Sequence, residues 1–177
     1  MASSLGLQAG TVRLVPYDPA WPDLFSAEAS RLNGALSPLP IVLEHIGSTA
    51  VPGLLAKPVL DVLAGFADDT HVKPYIERIV TSGYVHRGNQ GIPGREFFRR
   101  GNPRAYHVHL TAIGSAFWHE HLGFRDYLRT HSAVRDDYAR LKQALAARFP
   151  DDRDAYIKGK TRFVRGIVKL ATRSREA

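Results

Sequence analysis

Two apolar runs joined by a Gly-Ser turn, with one carboxylate set in the second, constrain this chain more than any other feature. The stretch is HIGSTAVPGLLAKPVLDVL, from His45 to Leu63. Residues 40–48 and 58–66 each read as an apolar strand. A glycine directly after such a strand lets the backbone turn sharply and approach a ligand closely. Ser48 and Thr49 add hydroxyls, and the free N–H groups of a following helical turn point outward, so Gly47, Ser48 and Thr49 are candidates for holding phosphate. The plain alternative is that Ser48 or Thr49 only caps the turn. Asp61 lies between Leu60 and Val62. A carboxylate in an apolar strand is costly unless it is paired or bound to metal. Asp61 therefore reads as a metal ligand beside a phosphate, or as half of a structural pair with Lys57 or an arginine. Lys57 is also a candidate phosphate contact.

The rest of the chain organises around this corner. Residues 12–18 read as a strand, followed by a helix with Asp18 as cap and Pro19 at its first position. A second helix is expected from about Thr70 to Gly83. The middle third (YVHRGN, REFFRRGN, AYHVHLTAI) is punctuated by Gly, Asn and Pro and reads as successive antiparallel strands. The last third carries two apolar helical faces separated at FPDD, where Asp151 or Asp152 caps the second helix. The expected class is α+β: a mixed sheet packed against helices and closed by a C-terminal helical hairpin. At 177 residues the chain suits one domain, with residues 1–10 as a frayed tail.

Composition narrows the chemistry. The absence of cysteine excludes disulfides, thiol catalysis and cysteine-bound zinc, and suits the cytoplasm. No apolar stretch approaches the roughly 20 residues that span a bilayer, so a membrane partner is not expected. A net charge of +7 favours anionic partners: nucleotides, other phosphate-bearing small molecules or nucleic acid. His107 and His109 alternate along one strand and share a face. They are candidate metal ligands, phosphate contacts or a general base, or simply packing residues. Arg95, Arg99, Arg100 and Arg104 cluster around Phe97 and Phe98, with Arg99 or Arg100 expected to face a ligand. Lys142 and Lys160 are candidates for the far wall of a cleft.

The order of these motifs resembles the nucleotidyltransferase superfold. More narrowly, EHIGSTAVPGLLAKPVLDVL, with YDPAWPDLF, REFFRRG, HVHL, FRDYLRTH and the YARLK…GK series, resembles the GrpB family over roughly residues 12–172. The superfold resemblance implies a Gly-Ser turn on the terminal phosphates of a nucleoside triphosphate. It also implies an Asp-x-Asp pair plus a third acid holding two Mg²⁺. Here Gly47, Ser48 and Asp61 match, but the second acid falls at Leu63 and no acid lies in AYHVHLTAI. Glu44, His107 and His109 are the residues left to rebuild a metal site with Asp61, and imidazole suits Zn²⁺, Mn²⁺ or Fe²⁺ better than Mg²⁺; the expected cofactor is a divalent metal, Mg²⁺ or Mn²⁺ with Zn²⁺ as the alternative. The implied activity is metal-dependent transfer of a nucleotidyl group from a nucleoside triphosphate to an unidentified acceptor, with Asp61, Ser48 and His109 catalytic. The alternatives are a non-catalytic nucleotide-binding or anion-binding module, and a metal-dependent enzyme of another kind built on His107, His109 and Asp61.

Overall fold

The computed structural model describes residues 5–67 and 71–176. Helix α1 (Trp21–Leu36) precedes strand β1 (Val42–Ile46), a 3₁₀ turn (Ser48–Ala50) and strand β2 (Leu60–Phe66). Helix α2 (Lys73–Thr81) and strands β3 (Val85–His86), β4 (Arg95–Arg100) and β5 (Tyr106–Ala112) follow. Helices α3 (Ala116–Thr130), α4 (Ser132–Arg148) and α5 (Arg153–Glu176) complete the chain. The strands form one mixed sheet in the order β1-β2-β5-β4-β3, with β2 and β5 parallel and every other pair antiparallel.

Strand alternation sorts the two faces of the sheet. Val62, Ala64, Phe98, Val108 and Leu110 point to one side, where Leu32 and Leu36 of α1 and Tyr75 and Ile79 of α2 close the core. The residues between them point to the other side, which α3 covers only at one end. Ile46 and Leu63 pack there against Phe117 and Trp118. Ser115 caps α3 by accepting the Trp118 N–H at 3.2 Å. A second cluster joins Val51 and Leu54 to Leu128 of α3 and Tyr138 of α4. The remaining part of this face stays open and becomes a cavity.

Gly65 shows how closely α3 approaches: a Cβ there would lie 2.4 Å from Trp118 Cζ3. Gly65→Ala is expected to destabilise the fold by roughly 1–3 kcal/mol through overpacking. A denaturant midpoint unchanged from wild type would contradict this contact.

The α+β class, mixed sheet and C-terminal hairpin, formed by α4 and α5, are as expected. Four boundaries differ. Residues 12–18 form no sheet strand; only Val15 bridges Ala56, because Pro16 lacks the N–H that a ladder needs. Helix α1 starts at Trp21, since Asp18 Oδ1 accepts the Ala20 N–H at 2.9 Å in a turn ahead of it. Helix α2 starts at Lys73, and the expected start near Thr70 lies outside the described residues. The expected tail is tied down from residue 5 onward: Leu7 is 4% exposed and bridges Arg104. Residues 1–4 lie outside the described residues. Asp152 caps α5, accepting the Ala155 N–H at 2.9 Å. Among the described residues, no helix is long and apolar enough to cross a membrane.

Candidate functional site

Parallel pairing of β2 with β5 sets Asp61 beside His107 and Leu63 beside His109. Asp61 Oδ1 accepts hydrogen bonds from His107 Nδ1 at 2.9 Å and His109 Nε2 at 3.4 Å. One ligand atom from each of the three lies within 4.8 Å of the others. Burial raises the pKa of Asp61, but hydrogen bonds and charge from the two histidines outweigh it and hold the carboxyl well below its usual value. Burial pushes His107 down despite the opposing pull of Asp61, so its ring is largely neutral at pH 7. The far ring nitrogens, His107 Nε2 and His109 Nδ1, are buried without a partner among the described residues. Phe97 meets both imidazoles, with ring centroids 5.1 and 5.0 Å away.

Gly47 joins this group to the turn. Its φ is 74°, and a Cβ there would lie 2.7 Å from Asp61 Oδ2. Only glycine both adopts that conformation at no steric cost and leaves room for the carboxylate. Behind it, Ser48 Oγ accepts a hydrogen bond from Lys142 Nζ at 3.2 Å, and Lys142 also donates to the Leu55 carbonyl. Lys142 is 1% exposed. Burial, then the charges of Lys160 and Lys57, lower its pKa to about 6. Burial and Lys160 lower Lys57 to about 7, and burial with Arg153 lowers Lys160 to about 8 against the pull of Asp61. The Lys57 and Lys160 amines sit over the Tyr156 ring, 5.5 and 4.6 Å from its centroid.

These groups line one cavity of about 520 Å³ between the open sheet face, the Gly47 turn and helices α3–α5. Asp61, His107, His109, Gly47, Ser48, Lys57, Lys142, Lys160 and Arg99 all reach it. Three candidates have other partners. Glu44, expected from the sequence as a metal ligand, is ion-paired to Arg125 at 2.6 Å and stands outside the Asp61 group. Arg100 projects to the opposite sheet face, away from the cavity, where it pairs with buried Glu28 and stacks 4.3 Å over Tyr106. Thr49 also lines the cavity, but its hydroxyl is hydrogen-bonded to His45 Nε2 at 3.0 Å. His45 stacks on Phe25, and burial lowers its pKa to about 4.

Among the lining residues that sequence reasoning missed are His121 and Arg153. His121 donates from Nδ1 to the Phe117 carbonyl at 2.8 Å, and burial brings its pKa to about 4. Neither lies in a motif that marks a ligand.

The donor set decides which metal fits. One carboxylate and two imidazoles suit a single Zn²⁺, Mn²⁺ or Fe²⁺, whereas Mg²⁺ prefers oxygen ligands. Two unpartnered buried imidazole nitrogens are consistent with rings that turn toward an ion. A second Mg²⁺ does not fit, because Leu63 is fully buried where the second acid would stand.

The mixed sheet and its flanking helices form a nucleotidyltransferase-like fold. The Cid1 poly(U) polymerase shares this fold, with a TM-score of 0.57 at 11% identity over 81% of this chain and 49% of that one. The chain belongs to the GrpB family, whose model, described as GrpB protein, matches residues 11–170. It is similar to the crystal structure of GrpB from Enterococcus faecalis, with a TM-score of 0.85 and 35% identity over 93% of this chain and 100% of that one. It is also 37% identical to the UPF0157 protein YqkA of Bacillus subtilis over 163 residues, which covers 92% of this chain but 48% of that protein. The chain thus spans about half the length of that relative.

Proposed function

We propose that this chain binds a nucleoside triphosphate with one divalent transition metal and transfers the nucleotidyl group to an acceptor hydroxyl. The close approach of Asp61 to Gly47 supports this reading, because it sets a candidate phosphate turn beside a candidate metal group in one cavity. Ser48, the turn amides and Lys142 hold the terminal phosphates. Lys57, Lys160 and Arg99 offset their charge. Asp61, His107 and His109 hold the ion, which supplies Lewis-acid polarisation of the phosphate. The acceptor oxygen bonds to the α-phosphorus, the bond to the bridging oxygen breaks, and pyrophosphate leaves while the hydroxyl proton passes to solvent. The neighbouring fold of Cid1 was solved with Mg and 3′-dATP bound, which supports a nucleotide as the ligand class.

Leu63 favours a second reading, in which the triphosphate is bound but not transferred. Calorimetric titration of ATP, GTP, CTP and UTP tests both. At least one is expected to bind about tenfold more tightly with Mn²⁺ than with EDTA, a gain of about 1.4 kcal/mol. Binding without metal dependence, or none at all, overturns the proposal. Metal-dependent binding with no pyrophosphate release across an acceptor panel selects the second reading.

A further inference from the structure

Arg104 is 8% exposed, yet its buried Nε has no partner and its side chain makes no ion pair among the described residues. A buried charge with unmet donors is costly. Arg99 and Arg153 repeat the pattern, each burying an Nε that no described group accepts. Arg153 pairs only loosely with Asp154, at 3.8 Å, and that carboxylate is almost fully exposed.

Their positions are set by separate elements. Pairing of β4 with β5 puts Arg99 beside His107. Arg104 lies in the connection that returns the chain to β5, and Arg153 opens α5. Arg99 and Arg153 line the same cavity as the Ser48 turn. Burial opposes the charge on Arg99 and on Arg104, and Arg153 repels both. At the Ser48 end, Lys142 is repelled by Lys160 and Lys57 instead. Asp61 attracts both Lys160 and Arg104, and it lines the same cavity as Lys160, Arg99 and Arg153.

We infer that Arg99 and Arg153, which line the cavity, form a second anion subsite at its α5 end, backed by the nearby charge of Arg104, and that this subsite seats a phosphomonoester carried by the acceptor. Guanidinium forks match phosphate oxygens in pairs, and two such groups in one cavity with a third positive charge nearby favour a dianion with several acceptor oxygens. With the triphosphate at Ser48, a phosphate on the acceptor at Arg99 and Arg153 brings the two reactants together in the cavity that Asp61 lines. Naming that ligand the acceptor rests on the transferase reading; the subsite itself does not.

Inorganic phosphate, titrated calorimetrically without nucleotide, is the probe. The Lys142→Met chain, with its Ser48 end disabled, is expected to bind one phosphate. Adding Arg104→Gln, or Arg99→Gln in a parallel variant, is expected to raise that dissociation constant at least about tenfold. Thermal melts of both variants without phosphate should stay at or above the Lys142→Met value, since each removes a cation that burial and neighbouring arginines disfavour. No phosphate bound by Lys142→Met, or a constant unchanged in both arginine variants, overturns the subsite. Phosphate binding that follows the expected pattern while no nucleoside triphosphate binds the wild type retains the subsite and removes the transferase reading.

Discussion

Replacing Lys142 with methionine is expected to raise the melting temperature of the ligand-free protein while weakening triphosphate binding by about a hundredfold, or roughly 2.8 kcal/mol. The stability gain follows from the burial of Lys142 beside Lys57 and Lys160, without a carboxylate partner of its own among the described residues. Its folded pKa of about 6 lies far below its ordinary value of 10.5. Between those values the folded chain holds fewer protons than the unfolded chain, so stability rises with pH across the window. Lys57 and Lys160 act in the same direction above about 7 and about 8. Every tenfold weakening of an amine's hold on its proton corresponds to about 1.4 kcal/mol. The hydrogen bonds lost with Lys142, to Ser48 Oγ and the Leu55 carbonyl, are each worth about 1 kcal/mol. The charge effect therefore wins. Ligand binding reverses the sign, because a bound polyphosphate draws protons back onto the amines. Wild-type affinity for triphosphate is expected to fall as pH rises from about 6 to about 9, across the lowered amine pKa values, and its calorimetric heat to vary with the buffer's ionisation enthalpy. A lower melting temperature together with unchanged affinity would show that Lys142 is a structural tie and not part of a phosphate site.

How far the site can be read in the sequence depends on how local its causes are. Gly47, Ser48, Asp61, His107 and His109 are legible because a turn after a strand and the two-residue repeat of a strand decide which groups share a face. Lys142 and Lys160 are legible as polar positions beside apolar helical stripes, although their depth of burial is not. Glu44 and Arg100 are misplaced because their partners are remote: Arg125 is 81 residues from Glu44, and Glu28 is 72 residues from Arg100. No periodicity shows which of two neighbouring arginines meets a buried acid; the register of β4 on β5 decides it. The expected strand over 12–18 fails for a local reason, since apolar alternation there cannot replace the N–H that Pro16 lacks. His121 and Arg153 carry no signal because they come into the cavity only through the docking of α3 and α5.

Asp61→Asn is expected to reverse the order of affinities between metal-containing and metal-free conditions. Asp61 is the one carboxylate of the candidate metal group, and its charge also reaches Lys57, Lys160 and Arg104. With Mn²⁺ present, a neutral amide leaves two imidazoles to hold the ion, and metal affinity should fall by about a hundredfold or more. Triphosphate binding then loses its metal-dependent part. With EDTA present, the wild-type carboxylate stands without a metal ion beside the Gly47 turn, 2.7 Å from where a Cβ of residue 47 would lie, and repels an anion. Asparagine removes that repulsion, so the variant should bind triphosphate more tightly than wild type. The variant also forfeits the stability that a depressed carboxyl pKa contributes, present above the unfolded value of 3.8 and lost as pH falls through the folded one. Its melting temperature at pH 7 should therefore drop while its metal-free anion affinity rises. That combination separates an electrostatic role at a binding site from simple loss of packing, which would weaken both. Equal Mn²⁺ dependence in wild type and Asp61→Asn would mean that the ion sits elsewhere, and that Asp61 serves only to hold His107 and His109 in place.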